Sequence, residues 1–107
     1  MRTLGKSSIK IAPWVFGGNV FGWTVDQATG FKLLDAFVGE GFNCVDTADA
    51  YSFWIPGNKG GDSEEMIGNW IAQGGGRREK IVIATKVGIW PAMHGLHRAN
   101  IIAGVDG

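Results

Sequence analysis

Three side chains of this 107-residue sequence combine into an acid–base set: Asp46, Tyr51 five residues later, and Lys86. A phenol titrates near pH ~10 in water and donates its proton poorly to a carbonyl oxygen at neutral pH unless its anion is stabilised. An ammonium beside it supplies that stabilisation. A carboxylate beside the ammonium holds it in place and keeps it charged in a partly desolvated site. The chemistry expected of the three together is proton donation by Tyr51, tuned by Lys86 and oriented by Asp46.

The elements that must position them are legible as alternating strands and helices. Met1 to Leu4 and Ile9 to Ile11, separated by the polar Gly5-Lys6-Ser7-Ser8, read as a small β-hairpin over residues 1–12. The consecutive apolar residues Trp14-Val15-Phe16 predict a first parallel strand buried on both faces and ended by Gly17-Gly18-Asn19. Thr24 and Gln27 have capping-box spacing, and Phe31, Leu34 and Val38, with Leu33 and Phe37 beside them, predict a helix over 25–40 that Gly41 ends in a left-handed conformation. Asn43 to Thr47 is a second strand, with Asp46 near its C-terminal end. A second helix opens at Asp62, where Glu65 repeats the capping-box spacing, and Met66, Ile67, Trp70 and Ile71 supply its apolar face. Gly74 to Gly76 stop it, and the β-branched run Lys80 to Thr85 is a third strand, followed by Lys86. Ala99 to Val105 opens a third helix.

This alternation predicts a parallel sheet with right-handed crossovers, and periodicity alone leaves open whether the sheet is doubly wound or part of a barrel. In either case functional loops follow the C-terminal ends of the strands, where Asp46 and Lys86 stand. A complete (β/α)8 barrel needs about 250 residues, so a barrel reading makes the chain a piece of one.

Composition narrows the function classes. Apolar residues are 45% of the chain and charged residues 19%, which predicts a folded core rather than disorder. Ten basic residues balance ten acidic ones without a long block of either sign, so nothing calls for nucleic acid or an acidic membrane. No apolar run reaches the roughly 20 residues of a membrane-spanning helix, and no export signal opens the chain. The single Cys44 predicts a reducing, cytoplasmic setting.

Each candidate has a plainer reading. Asp46 alone is as well explained as an Asx-turn residue, and Lys86 alone as a solvated surface lysine. His94 and His97 without a third ligand make a loop rather than a metal site. The glycines around residue 17 lack the Gly-x-Gly-x-x-Gly order of a dinucleotide fold. Trp70 and Cys44 read as core. Trp54 and Trp90, in the loops after the second and third strands, read by position as packing beneath those loops.

The run Val45-Asp46-Thr47-Ala48-Asp49-Ala50-Tyr51 resembles the Asp-and-Tyr signature of aldo-keto reductases, and Ile83-Ala84-Thr85-Lys86 resembles that family's catalytic-lysine strand. Arg2-Thr3-Leu4-Gly5, Phe16-Gly17-Gly18-Asn19 and Gly61-Asp62-Ser63-Glu64-Glu65 before Ile67-Gly68 extend the resemblance in order along the chain. It implies an α/β fold, an incomplete (β/α)8 TIM barrel in which residues 1–12 are a hairpin and 13–107 the first β/α units, about three strands and two helices. It also implies NADP(H)-dependent reduction of an aldehyde or ketone, a small-molecule carbonyl, with catalytic Asp46, Tyr51 and Lys86. The cofactor-side residues it implies are Gly17, Gly18, Asn19 and Asp46, and where the family seats its carbonyl substrate it implies Trp54 and Trp90 as pocket walls. The family's tetrad has a fourth member, a His after the third helix, that maps to no residue here; His94 and His97 lie before that helix. The alternative expectation is a non-catalytic β/α fragment, or one piece of a split protein joining a complementary chain, with exposed sheet edges that favour self-association.

Overall fold

The computed structural model describes residues 1–107. β1 (Arg2–Thr3) and β2 (Lys10–Ile11) pair antiparallel, Arg2 opposite Ile11 and Thr3 opposite Lys10. β3 (Val15–Gly17), β4 (Cys44–Asp46) and β5 (Val82–Ala84) form a parallel sheet in that order, with Gly17 beside Asp46 and Asp46 beside Ala84. α1 (Gln27–Gly39) and α2 (Asp62–Ala72) are the crossovers between them, and α3 (Arg98–Asp106) follows β5. The Asn43 side chain ties the hairpin to the sheet, accepting from the Ala12 N–H and donating to the Lys10 carbonyl, both at 2.9 Å.

Three strands in register with two crossover helices agree with the hairpin, β, α, β, α, β order expected from periodicity. The core lies between sheet and helices: Phe21, Leu34, Val45, Met66, Ile67, Trp70 and Ile81 form one buried cluster. Gly30 on α1 lets the Met66 side chain approach, because a Cβ there would sit 2.7 Å from its sulfur. No helix is long and apolar enough to cross a membrane.

Element ends differ from the sequence expectation where the fold competes with local signals. α1 starts at Gln27, because Val25 is held in a β-bridge with Phe21 and its N–H bonds the Val20 carbonyl. Its N-cap is therefore Asp26, whose carboxylate accepts the Thr29 N–H at 2.8 Å, and the Thr24–Gln27 pair caps nothing. α2 is capped by Gly61 at φ +70°, while Asp62 is its first residue and turns back onto the Gly60 N–H. β5 is shorter than Lys80 to Thr85, since Lys80 is drawn into a 3-10 turn, Arg78–Lys80. At Gly41 expectation and structure agree: φ is +87°, and Phe42 N–H reaches back to the Phe37 carbonyl.

The first parallel strand is not buried on both faces. Trp14 is 68% and Val15 49% exposed, because β3 is an edge strand whose far side has no neighbour. Leu33, counted with the apolar stripe of α1, is likewise exposed.

Candidate active site

Parallel pairing puts the C-terminal ends of β3, β4 and β5 at one end of the sheet, and there Asp46, Tyr51 and Lys86 meet. Lys86 Nζ lies 2.8 Å from each carboxylate oxygen of Asp46, 2.8 Å from the Thr47 carbonyl and 3.0 Å from Tyr51 Oη. The ammonium also stands over the phenol ring, 4.7 Å from its centroid. Tyr51 donates to Asp46 Oδ2 at 3.3 Å, a long O–H···O bond. Desolvation alone would lower the Lys86 pKa, but hydrogen bonds and charge from Asp46 and Tyr51 outweigh it and hold it above the usual lysine value.

The loops beneath this trio are cross-linked by groups that sequence reasoning passed over. Thr47 N–H and Asp49 N–H bond the carbonyls of Ala84 and Lys86, so the loop after β4 follows the backbone that carries Lys86. Ser63, at the start of α2, donates to the Gly18 carbonyl at 2.7 Å and shares a 2.8 Å bond with Thr47 Oγ1. Ser52 is fully buried, is the one non-glycine residue at positive φ (+66°), and donates to the Phe21 carbonyl at 2.7 Å. Asn58 Nδ2 donates to the carbonyls of Gly22 and Ser52, both at 2.8 Å. These bonds sew the loop after β3 to the loop after β4. The sequence carries only a faint signal for them, a scatter of Ser, Thr and Asn between strand and helix, because every partner but one is at least sixteen residues away.

The remaining expected site residues fall differently. Gly18 is buried, and a Cβ there would meet the Asp46 carbonyl at 2.9 Å and Ser63 Oγ at 3.0 Å, so its lack of a side chain serves loop packing. Gly17 and Asn19 are exposed beside it. Trp54 is exposed and meets the rings of Trp23 and Phe53 edge to face. Trp90 lies across Gly60, whose φ of +94° and missing side chain leave room for the indole. His94 and His97 are exposed in the segment before α3, and no three potential ligands gather to hold a metal ion. Cys44 is buried, and desolvation followed by the Asp46 charge pushes its thiol pKa up, consistent with a packing role.

Two carboxylate oxygens remain without a partner. Asp49 is 4% exposed and neither Oδ atom is hydrogen-bonded. Burial raises its pKa against the weaker pull of the Ala50 and Asp49 backbone N–H groups.

A tyrosine whose oxygen accepts from a lysine chelated by a carboxylate thus stands in a loop at the C-terminal end of a parallel sheet, the end at which β/α proteins carry their functional loops. The family model described as the aldo/keto reductase family matches residues 13–106, and the chain belongs to that family. An uncharacterized 11.2 kDa protein of Pseudescherichia vulneris is 58% identical over 88 residues, covering 82% of this chain and 85% of that protein. Norsolorinic acid reductase of Aspergillus flavus is 37% identical over 102 residues, covering 88% of this chain and 24% of the reductase. The solved structure of an aldo-keto reductase from Pseudomonas aeruginosa superposes with TM-score 0.75 at 29% identity, covering 98% of this chain and 38% of the other. The three strands are thus part of a TIM-type barrel, and the chain spans about a quarter to two-fifths of these longer relatives.

Proposed function

We propose that residues 1–107 carry the proton-donating part of a carbonyl reductase that uses NADP(H) to convert an aldehyde or ketone to an alcohol. The observation that supports this most directly is the 3.0 Å approach of Lys86 Nζ to Tyr51 Oη while Asp46 holds the same ammonium through both its oxygens. The nicotinamide supplies hydride to the carbonyl carbon when bound. Tyr51 gives its proton to the carbonyl oxygen. Its present acceptor, Asp46 Oδ2 at 3.3 Å, is a weak competitor that a substrate oxygen replaces. Lys86 then stabilises the phenolate by charge and by its hydrogen bond, and Asp46 keeps Lys86 from swinging into solvent.

The chain's fit to the cofactor is limited to the nicotinamide end. The exposed Asn19 amide and the half-buried Asp46 carboxylate are polar groups at adjoining strand ends, suited to a carboxamide or ribose hydroxyl. Gly17 and Gly18 supply backbone there, with Gly18 explained by packing. No cluster of basic side chains and free amides at this end of the sheet offers a cradle for the phosphates. A cytoplasmic setting suits such a reductase.

The test joins residues 1–107 to the remaining barrel segments of a longer relative and follows NADPH consumption with a simple aldehyde. In that barrel Tyr51→Phe is expected to lower turnover by roughly 10² to 10⁴; unchanged turnover would refute the proton-donor role.

A second reading is favoured by the sheet itself. β3 and β5 each present an unpaired parallel edge, and such edges are templates for another chain. On this reading the 107-residue chain by itself self-associates or joins a complementary piece and reduces nothing.

A further inference from the structure

One of the oxygens that hold the Lys86 ammonium belongs to the main chain. An ammonium has three N–H bonds, and four acceptors stand within 3.0 Å of Lys86 Nζ: both Asp46 oxygens, the Thr47 carbonyl and Tyr51 Oη. The lysine side chain is 51% exposed, so with the carboxylate as its only anchor it could pivot between Asp46 and water. The Thr47 carbonyl, a neutral anchor at a second point, restrains that pivot and leaves an N–H for Tyr51.

Thr47 can act in this way because it is itself fixed. It is 1% exposed, its N–H donates to the Ala84 carbonyl at 2.8 Å, and its hydroxyl lies 2.8 Å from Ser63 Oγ. Proton counting sets the direction of that last bond. Ser63 is fully buried and gives its single hydroxyl proton to the Gly18 carbonyl at 2.7 Å, an oxygen that can only accept. Thr47 is therefore the donor to Ser63. A one-way series results, from Lys86 N–H to the Thr47 carbonyl, from the Thr47 hydroxyl to Ser63, and from the Ser63 hydroxyl to Gly18. The absent side chain of Gly18 gives it room, since a Cβ there would lie 3.0 Å from Ser63 Oγ. Buried hydroxyls paired in this way are costly to leave unpaired, so each end of the series resists movement of the other.

We infer that the buried Thr47–Ser63 hydroxyl pair is a positioning device for Lys86, holding the Thr47 carbonyl where it anchors the ammonium beside Tyr51. The inference deepens the reading of Lys86 as the group that tunes Tyr51 and rests on it, but it is tested without turnover. In the isotope-labelled 107-residue chain, NMR follows the exchange of lysine ammonium protons with water, the Lys86 signal being the one lost in Lys86→Arg. Thr47→Val keeps the shape of the side chain and removes the hydroxyl, and Ser63→Ala removes its partner. Each is expected to speed Lys86 ammonium exchange about three- to tenfold, the worth of one neutral hydrogen bond, and to leave the other five lysines as they were. Thr47→Ser, which keeps the hydroxyl, should restore the parental rate. The Trp70 indole N–H, bonded to Asp35, reports that the core remains folded. Parental exchange at Lys86 in a folded Thr47→Val or Ser63→Ala chain, or exchange in Thr47→Ser as fast as in Thr47→Val, would overturn the device and leave the pair as loop packing. The parent chain supplies a check that needs no variant: the Thr47 hydroxyl proton should exchange slowly with water and show a through-space contact to the Ser63 β-protons. Rapid exchange of that proton would overturn the proposal too. No carbonyl is reduced in these measurements, so their failure leaves the proton-donor role of Tyr51 standing, and unchanged turnover in Tyr51→Phe would leave the anchor standing.

Discussion

The two flanks of β4 are built to different standards. On the side of β3 and the N-terminus of α2, Ser52, Ser63, Thr47 and Asn58 satisfy one another and the loop carbonyls, and the side chains of Phe21, Met66, Ile67 and Trp70 close over the sheet. On the side of β5 and α3, no residue of α3 is buried, and Ile89, Leu96 and Val105 are 72%, 69% and 71% exposed. α3 comes close to the strand-end segment at Gly104, where a Cβ would come within 2.7 Å of a Val87 methyl, and Asn100 donates to the Met93 carbonyl at 2.7 Å. The first flank is self-sufficient, and it is the one that carries Asp46 and Tyr51. The second resembles a surface of a barrel without its next layer, since parallel strands are stable when covered on both faces.

The contrast is broken most directly by emptying the packed flank. Trp70 is 1% exposed, its indole N–H donates to Asp35 Oδ1 at 2.9 Å, and Arg77 stacks on its ring. Trp70→Ala should cost about 3–5 kcal/mol of stability in a denaturant titration, enough to unfold a chain of this size, whereas Val105→Ala on α3 should stay within about 0.5 kcal/mol. Equal losses at the two positions would show that α3 is packed after all.

A smaller effect probes the stitching between loops. Ser52→Ala leaves the Phe21 carbonyl without its donor in a fully buried place, and an unsatisfied buried group costs about 1–3 kcal/mol. Ser52→Gly loses the same bond but relieves the +66° φ, so it should cost less than Ser52→Ala. The reverse ranking would mean that the backbone there is not strained.

The smallest expected change sharpens the comparison within the packed flank itself, where the Asp49 carboxylate is buried without a partner. A carboxyl whose folded pKa is raised favours folding while protonated, fully so below its unfolded value of 3.8, and loses that contribution as pH rises through the folded value. Asp49→Asn is therefore expected to stabilise the chain by about 1 kcal/mol at pH 7, with the gain vanishing below about pH 4. Thermal melts of the two proteins at both pH values measure it; a gain that persists in acid would locate the benefit elsewhere.

The sequence by itself determined the alternation of strands and helices, the hairpin, the left-handed stop at Gly41, and the trio at the strand ends. Those features depend on residues a few positions apart or on the parallel strand direction that a strand–helix–strand alternation imposes, which sends every strand's C-terminal end to the same edge of the sheet. The Asp46–Tyr51 spacing and the lysine after a β-branched strand were legible for that reason. The cap of α1 at Asp26 rather than Thr24 goes with a local Phe21–Val25 bridge that capping-box spacing does not reveal. Tertiary structure alone decided that Ser52 takes positive φ, that Trp90 lies over Gly60, and that Trp23 and Trp54 meet edge to face. Each of these joins residues about thirty positions apart, where local propensity carries no information and the geometry of the returning chain sets which groups meet.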